Sequence, residues 1–315
     1  MTEKVTRSNK YNKEIKTKKE EIIEEDNEEK KDHPLLKRIL IYIIIFFIIL
    51  ISYCCFIETS LVNIKEYKVE STIIPDSFHG LKIVHFSDIH YGTTINKKQL
   101  ERIINNINDL KPDVIFFTGD LIDKNITTTP EIEEELKSSL SKLECTLYKY
   151  AIYGNEDYNN EKYKEIITSS NFILLNNESK LLYYKDKTPI EITGFNSTDT
   201  QPNYTILTNM INEIDTTNLY KIVLTHEPDS IDNFIIYKPN LVLSGHSLGG
   251  LIKVPFLKPI FLQDNAKTYY EDYYNLNNTN LYISNGLGTS GINARFNNRP
   301  SINFYRIYKT SENIN

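Results

Sequence analysis

Five apolar runs in the sequence end in side chains that can bind a metal ion or a phosphate group. These side chains are Asp88 and His90 after run 81–86, Asp120 after 113–118, Asn155 after 147–153, His226 after 221–225 and His246 after 241–244. The carboxyl ends of strands in an α/β sheet gather at one edge, so residues distant in sequence meet in a single crevice there. The pattern therefore predicts a metal or phosphate site built from these strand ends.

The distribution of histidines favours the same interpretation, because three of the six histidines in the chain occupy these strand ends. His85 is different, since it shares a strand with Asp88 but points to the opposite face, as alternate strand side chains do. We interpret His85 as a structural strand histidine rather than as a ligand.

The apolar runs alternate with segments of helical pattern, which indicates the architecture that must position the site. Residues 96–110 are amphipathic, residues 131–143 have a helical pattern, and both lie between short runs rich in β-forming residues. Alternation of this kind is typical of α/β proteins, in which helices pack on sheets. We therefore expect an α/β fold.

The N-terminal region predicts a membrane anchor. Residues 1–38 are rich in charged and polar side chains and predict a disordered tail. Residues 39–57 are uncharged and largely apolar, about long enough to cross a ~30 Å hydrocarbon core as a helix. The long charged segment and the lack of a small-residue cleavage site favour a retained anchor over a cleaved signal peptide.

The charges that flank the apolar run predict its orientation. Lys37 and Arg38 precede the run and Glu58 follows it, so the positive-inside rule places the tail in the cytoplasm and the rest of the chain outside the cell membrane. We expect residues 58–79 to form a stalk and residues 80–310 to form the main domain.

Composition excludes some classes of function. The chain has 36 basic and 42 acidic side chains and a formal charge of -6, which leaves no basic surplus to neutralise a phosphate backbone. Nucleic acid is therefore not an expected partner. With three cysteines, two of them inside the apolar run, the chain cannot assemble a disulfide framework or a thiolate metal site.

The ordered motifs resemble those of the calcineurin-like metallophosphoesterases, and most closely a bacterial subgroup with an N-terminal membrane segment. The resemblance spans about residues 81–250 and rests on Asp88-Ile89-His90, Gly119-Asp120, Gly154-Asn155-Glu156-Asp157, Thr225-His226-Glu227 and Gly245-His246-Ser247-Leu248-Gly249-Gly250. The segment 283–291, with three glycines, is also similar to that subgroup. The resemblance implies a four-layer α/β/β/α sandwich of two mixed sheets flanked by helices.

The resemblance also implies a site for two divalent metal ions, which the sequence does not narrow beyond Mn, Fe or Zn. Asp88, His90 and Asp120 would hold the first ion. Asp120 would bridge to the second ion, whose remaining ligands would be Asn155, His226 and His246. In such a two-metal site a bound hydroxide attacks the phosphorus of a phosphate ester in line with the leaving group.

Two positions depart from the family pattern. Glu156 stands where the family has a histidine that assists charge neutralisation or leaving-group protonation, and Leu248 stands where it has a second histidine that completes the first metal site. We therefore expect the first site to be weak or empty. Glu156 would act with Asn155 in catalysis if burial raised its pKa, or would stay ionised and become a ligand.

Two later segments allow two readings each. Residues 254–262 are largely apolar and form either a lip that touches lipid or a loop packed on its own core. Arg295 and Arg299 either bind a substrate phosphate through paired hydrogen bonds or are ordinary surface arginines.

Two functions follow from these observations. The first is a metal-dependent phosphoesterase at the outer membrane face that hydrolyses phosphate mono- or diesters, with a lipid or envelope-linked substrate favoured by the anchor. The alternative is a catalytically degenerate relative that keeps the fold and one metal ion and acts as a binding or scaffold protein.

Overall fold

A computed structural model describes residues 15–19, 34–196 and 219–311, and it divides the chain into two units, 1–51 and 52–315. Helix α1 (Pro34–Ser52) has no buried residue. Continued by residues 53–60, it is long and apolar enough over Pro34–Ser60 to cross a membrane. The predicted tail lies outside the described residues except for residues 15–19 and 34–38, which are helical.

The first sheet carries the strands that end in Asp88, Asp120 and Asn155. Its strands, in spatial order, are β1 (Asn63–Ser71), β12 (Ser301–Lys309), β2 (Lys82–Phe86), β3 (Val114–Phe117), β4 (Tyr148–Ala151) and β5 (Phe172–Leu174). All neighbouring pairs are parallel except β12 and β2, which are antiparallel. The sheet is therefore mixed.

The second sheet carries the strands that end in His226 and His246. Its spatial order is β10 (Tyr273–Leu276), β11 (Thr279–Ile283), β9 (Leu241–Ser244), β8 (Lys221–Leu224), β7 (Ile190–Gly194) and β6 (Glu178–Leu182). The inner pairs are parallel, and the two edge strands run antiparallel to their neighbours.

Helices cover the outer faces of both sheets. On the first sheet lie α2 (Lys97–Asp109), α3 (Pro130–Leu140) and α4 (Tyr163–Ser169); α5 (Ile231–Phe234) lies on the second. Helix α2 begins where the sequence predicts, because Asn96 and Gln99 form a reciprocal capping box. One apolar core joins the two sheets and two others join sheets to helices, which confirms the predicted four-layer sandwich.

The predicted stalk over residues 58–79 is wrong for residues 63–71. Residues 63–71 form β1, an edge strand paired along its whole length with β12. Polar residues alternate with core-facing ones such as Val69 along β1, as expected for an edge strand with one solvated face. The abundance of charge made the segment resemble a linker, yet the domain begins directly after the helix.

Candidate metal centre

The structure brings the predicted strand-end residues together where the carboxyl edges of the two sheets meet. Ligand-capable atoms of Asp88, His90 and Asp120 lie within 4.8 Å of one another, and so do those of Asp120, His226 and His246. Asp120 belongs to both groups. Asn155 follows β4 in the neighbouring loop, and its side-chain oxygen is buried without a hydrogen-bond partner. This is a donor set of carboxylate, imidazole and amide groups that could hold two cations.

The backbone around these residues is strained, as is common at functional sites. Asp88, His90, Asp120 and His246 have φ values of 50°, 42°, 59° and 64°, which lie in the left-handed region. The close packing also requires a glycine, since a Cβ atom on Gly154 would lie 2.2 Å from the Asp120 carboxylate oxygen Oδ1. The left-handed backbone conformations and the close packing therefore direct these side chains toward a common site.

Backbone carbonyls fix the imidazoles of the second group. His226 Nδ1 lies 2.6 Å from the carbonyl oxygen of Thr118, which leaves the buried Nε2 facing Asp120 Oδ2 at 3.1 Å. His246 Nε2 lies 2.7 Å from the carbonyl oxygen of Asp264, and the ring offers a nitrogen within 4.8 Å of ligand atoms of Asp120 and His226. A ring nitrogen that donates to an oxygen fixes the tautomer and orients the opposite nitrogen toward a metal. His226 Nε2 has no hydrogen-bond partner, which fits a ligand position.

For His90, two carboxylates take the place of the backbone carbonyls that face His226 and His246. Its Nε2 faces Asp88 Oδ1 at 3.8 Å and Asp120 Oδ2 at 3.7 Å. Its Nδ1 faces Glu156 Oε2 at 3.3 Å and Asp123 Oδ2 at 3.9 Å. Sequence reasoning missed Asp123, although it follows Asp120 by three residues at the same strand end. Glu156 therefore lies behind His90, on the side away from the Asp88–Asp120 pair.

Neighbouring backbone groups hold Glu156 and Asp157 in place. The Glu156 carboxylate accepts hydrogen bonds from Lys124 N at 2.8 Å and from Ser290 Oγ at 3.2 Å. Asp157 accepts from the backbone amides of Asp120, Leu121 and Gly154. Asp157 therefore has a structural role, since it ties the third motif to the second.

The electrostatics of the cluster favour bound cations. Burial lowers the pKa of His90, but the carboxylates of Glu156, Asp120 and Asp88 outweigh it and raise that pKa to about 9. Burial raises the pKa of Asp120, but His226, His90 and His246 outweigh burial and hold it below its usual range. Protons on the imidazoles thus balance buried negative charge when no metal is bound, and a divalent cation would displace them.

The pKa of Glu156 does not rise as an acid catalyst would require. Burial raises it, but the hydrogen bond and charge of His90 outweigh burial and lower the pKa below its usual range. This direction favours the ionised carboxylate of the second sequence hypothesis over the acid catalyst of the first.

Leu248, which the resemblance predicts to replace a family histidine, lies beside Asp88. It is buried, and a Cβ atom on Gly286 would lie 2.6 Å from Leu248 Cδ2 and 2.8 Å from Asp88 Cβ. Glu156 faces the opposite edge of the His90 ring, and Asp157 accepts hydrogen bonds from backbone amides. Among the residues that the structure describes, Asp88, His90 and Asp120 form one group of clustered ligands for a first ion, and His90, Asp123 and Glu156 form a further group on the other side of that ring.

Three basic residues outside the cluster occupy well-defined positions. His85 is buried, contacts Thr118 Oγ1 at 2.9 Å through Nε2, and has a pKa lowered by burial to about 3, which agrees with a structural role. Arg299 is exposed. Arg295 fits neither reading of the sequence, because it is fully buried.

Arg295 organises the glycine-bearing segment from inside the domain. Its guanidinium donates to the carbonyl oxygens of Asn285, Gly288 and Asn298 at 2.8, 2.6 and 3.2 Å. The amide of Gly288 in turn donates to the carbonyl oxygen of Asp88 at 2.7 Å. Arg295 thus supports the loop that covers Asp88.

Comparison with known proteins identifies the family. The family model described as calcineurin-like phosphoesterase matches residues 81–250. The chain is 33% identical over 263 residues to the uncharacterized metallophosphoesterase YkuE of Bacillus subtilis, with 82% of this chain and 90% of that protein covered. It is 28% identical to a transmembrane protein with metallophosphoesterase domain of Danio rerio, covering 73% of this chain and 53% of that protein.

A third relative has a specific activity in its name. The UDP-2,3-diacylglucosamine pyrophosphatase LpxG of Chlamydia trachomatis is 27% identical over 223 residues, covering 57% of this chain and 67% of that protein. Together with the family match over more than half of the chain, these relatives explain the motif order and the two-sheet fold. The chain belongs to the calcineurin-like metallophosphoesterase family.

Proposed function

We propose that the protein is a metal-dependent phosphoesterase that hydrolyses phosphate mono- or diesters at the outer face of the cell membrane. The observation that carries the proposal is the pair of ligand clusters that share Asp120, with the unpartnered buried atoms Asn155 Oδ1 and His226 Nε2 beside them. Buried polar atoms without protein partners are rare, and here they lie where a cation would satisfy them.

Each residue has a distinct part in the proposed site. Asp120 would bridge two divalent ions, and the donor set suits Mn, Fe or Zn. Asn155, His226 and His246 would complete the second position. Two such ions, when bound, would supply a water of lowered pKa and neutralise charge on the phosphoryl oxygens.

The first position is the weaker of the two. Asp88 and His90 join Asp120 there, and Leu248 contributes no ligand. Glu156 and Asp123 hold His90 from behind, which orients Nε2 and raises its basicity. We therefore assign Glu156 to the support of His90 and not to protonation of a leaving group, whereas Asn155 would hold the second ion next to the reacting phosphate.

The membrane location rests on the N-terminal helix and its flanking charges. Lys37 and Arg38 before the apolar run and Glu58 after it favour a cytoplasmic N-terminus and an outer domain. The relative named for a diacylglucosamine nucleotide supports a lipid or envelope-linked ester as substrate.

Metal content and turnover of the full-length chain in detergent test the proposal. The protein is loaded with Mn, Fe or Zn in turn and assayed on bis-(p-nitrophenyl) phosphate and p-nitrophenyl phosphate. We expect turnover that depends on metal, disappears in Asp120→Ala and persists in Asp109→Ala, a matched change at an exposed aspartate.

The same experiment distinguishes the hydrolase from the alternative function, a binding or scaffold protein. Leu248 is the observation that favours a binding or scaffold protein with one ion, because it removes a ligand from the first position. One ion or none per chain, with no turnover above Asp120→Ala in any metal, would support that alternative and refute the hydrolase.

A further inference from the structure

The segment 254–261 exposes large apolar side chains. Phe256 is fully exposed, and Leu257, Ile260 and Phe261 are 68, 60 and 42% exposed. Only Pro259 of this segment is buried, so the reading of a loop packed on its own core is wrong. Apolar side chains clustered on a surface mark a contact with another molecule or with a membrane.

This loop lies next to the end of the apolar helix. Pro255 lines a cavity of about 610 Å³ together with Tyr53, Glu58 and Phe296. The strand-like contact of Lys253 N with the Phe296 carbonyl oxygen at 2.9 Å fixes the start of the loop against this cavity. Tyr53 belongs to the apolar run 39–57, so the loop is adjacent to residues where the chain leaves the predicted span.

Hydrogen bonds hold the end of the helix to the same part of the domain. Arg295 N donates to the Cys54 carbonyl oxygen at 3.0 Å, and Asn298 N donates to Glu58 Oε1 at 2.8 Å. Glu58 is buried. Cys54 and Glu58 are thus held against residues 295 and 298, in the same domain as the loop.

The strand register places the metal centre at this same edge of the domain. β1 begins at Asn63, three residues after the helix ends, and Asn63 pairs with Ser301 at the start of β12. β12 runs antiparallel to β2, with Asn303 opposite His85 near the carboxyl end of β2. The helix therefore enters the fold at the edge where Asp88 and His90 lie.

The loop is also connected directly to the metal-centre motifs. A Cβ atom on Gly250, which ends the motif that begins at Gly245, would lie 2.2 Å from Pro259 Cβ. Exposed Lys258 lies between the apolar pairs, where its stem can lie along acyl chains while its ammonium reaches phosphate headgroups. The composition suits an interface between water and lipid.

We propose that residues 254–261 form a second membrane contact, in which Phe256, Leu257, Ile260 and Phe261 enter the lipid leaflet beside the end of the helix. The metal centre then faces the headgroups of that leaflet, within reach of esters held there. This inference rests on the membrane anchoring proposed above and does not depend on hydrolysis.

The absence of tryptophan from the sequence gives a direct test. Phe256→Trp in the full-length chain introduces a single indole, which is examined in liposomes made with and without lipids brominated on their acyl chains. The control is Tyr148→Trp, at a 48% exposed position at the amino end of β4, the opposite edge of the sheet. We expect blue-shifted emission and several-fold stronger quenching by brominated lipid at position 256 than at position 148.

Two results would overturn the inference. Equal quenching at both positions would show that the loop stays in water, and blue-shifted emission without quenching would show that it packs on protein, such as a second copy of the chain. Leu257→Trp repeats the measurement at a neighbouring exposed site in case the first variant folds poorly. Because quenching requires no turnover, failure here with normal hydrolysis of bis-(p-nitrophenyl) phosphate would leave the proposed function intact.

Discussion

Replacing Glu156 by glutamine should weaken the first metal position while leaving the reaction itself largely unchanged. Glu156 Oε2 lies 3.3 Å from His90 Nδ1, and the second carboxylate, Asp123, lies at 3.9 Å. Loss of an outer carboxylate that holds a ligating histidine costs about 10–100-fold in metal affinity. Because Asp123 remains, we expect the lower end, about tenfold or ~1.4 kcal/mol.

The assay is metal titration of activity in Glu156→Gln, with Glu134→Gln as the control at an exposed position. The glutamine oxygen can still accept from Lys124 N, so the local fold should survive. If Glu156 supports His90, the midpoint of the titration rises about tenfold, and kcat at saturating metal stays close to that of the control. If Glu156 were a general acid, kcat at saturating metal would fall by about 10²–10⁴ with the midpoint unchanged, which would refute the assignment.

Three further predictions test other parts of the structure. Leu248→His should add the missing ligand beside Asp88, so metal bound after dialysis should rise toward two ions per chain and the first-site affinity should rise about tenfold or more. His85 is neutral in the folded state with a pKa lowered to about 3, and it protonates near pH 6.5 when unfolded. The free energy of unfolding should therefore fall as pH drops below 6.5, by about 2 kcal/mol between pH 7 and pH 5. Chemical unfolding in detergent at both pH values measures this difference. The difference should be smaller in His85→Gln and unchanged in His79→Gln. Arg295→Met should leave buried carbonyl oxygens without hydrogen-bond donors and lower the free energy of unfolding by about 3 kcal/mol or more. Arg299→Met, at an exposed position, should change that free energy by less than about 0.5 kcal/mol.

Much of the candidate site could be predicted because each component is encoded next to a strand. The residues after β2, β3, β8 and β9 belong to short apolar runs with clear boundaries, and parallel topology gathers the ends of such runs. Asn96 likewise marks the start of α2 through its own side chain. Local signals of this kind can be recognised in a single sequence.

Contacts made over long sequence separations could not be predicted in this way. The sequence of β1 resembles a charged linker, because the strand with which it pairs, β12, begins at Ser301, more than 200 residues later. The sequence gives no sign that Arg295 is buried. The carbonyl oxygens that it binds belong to a loop whose conformation cannot be predicted from local sequence.

The two predicted departures from the family pattern, Glu156 and Leu248, are related through His90. In each of the three clustered histidines one ring nitrogen faces an oxygen atom. For His226 and His246 that oxygen is a backbone carbonyl, whereas for His90 it belongs to ionised carboxylates. A carboxylate raises the basicity of a ligating imidazole more than a neutral carbonyl does, since its charge stabilises the proton or cation that the ring shares. We propose that Leu248 removes a ligand from the same position whose remaining imidazole is strengthened by Glu156, and that the glutamate compensates for the leucine.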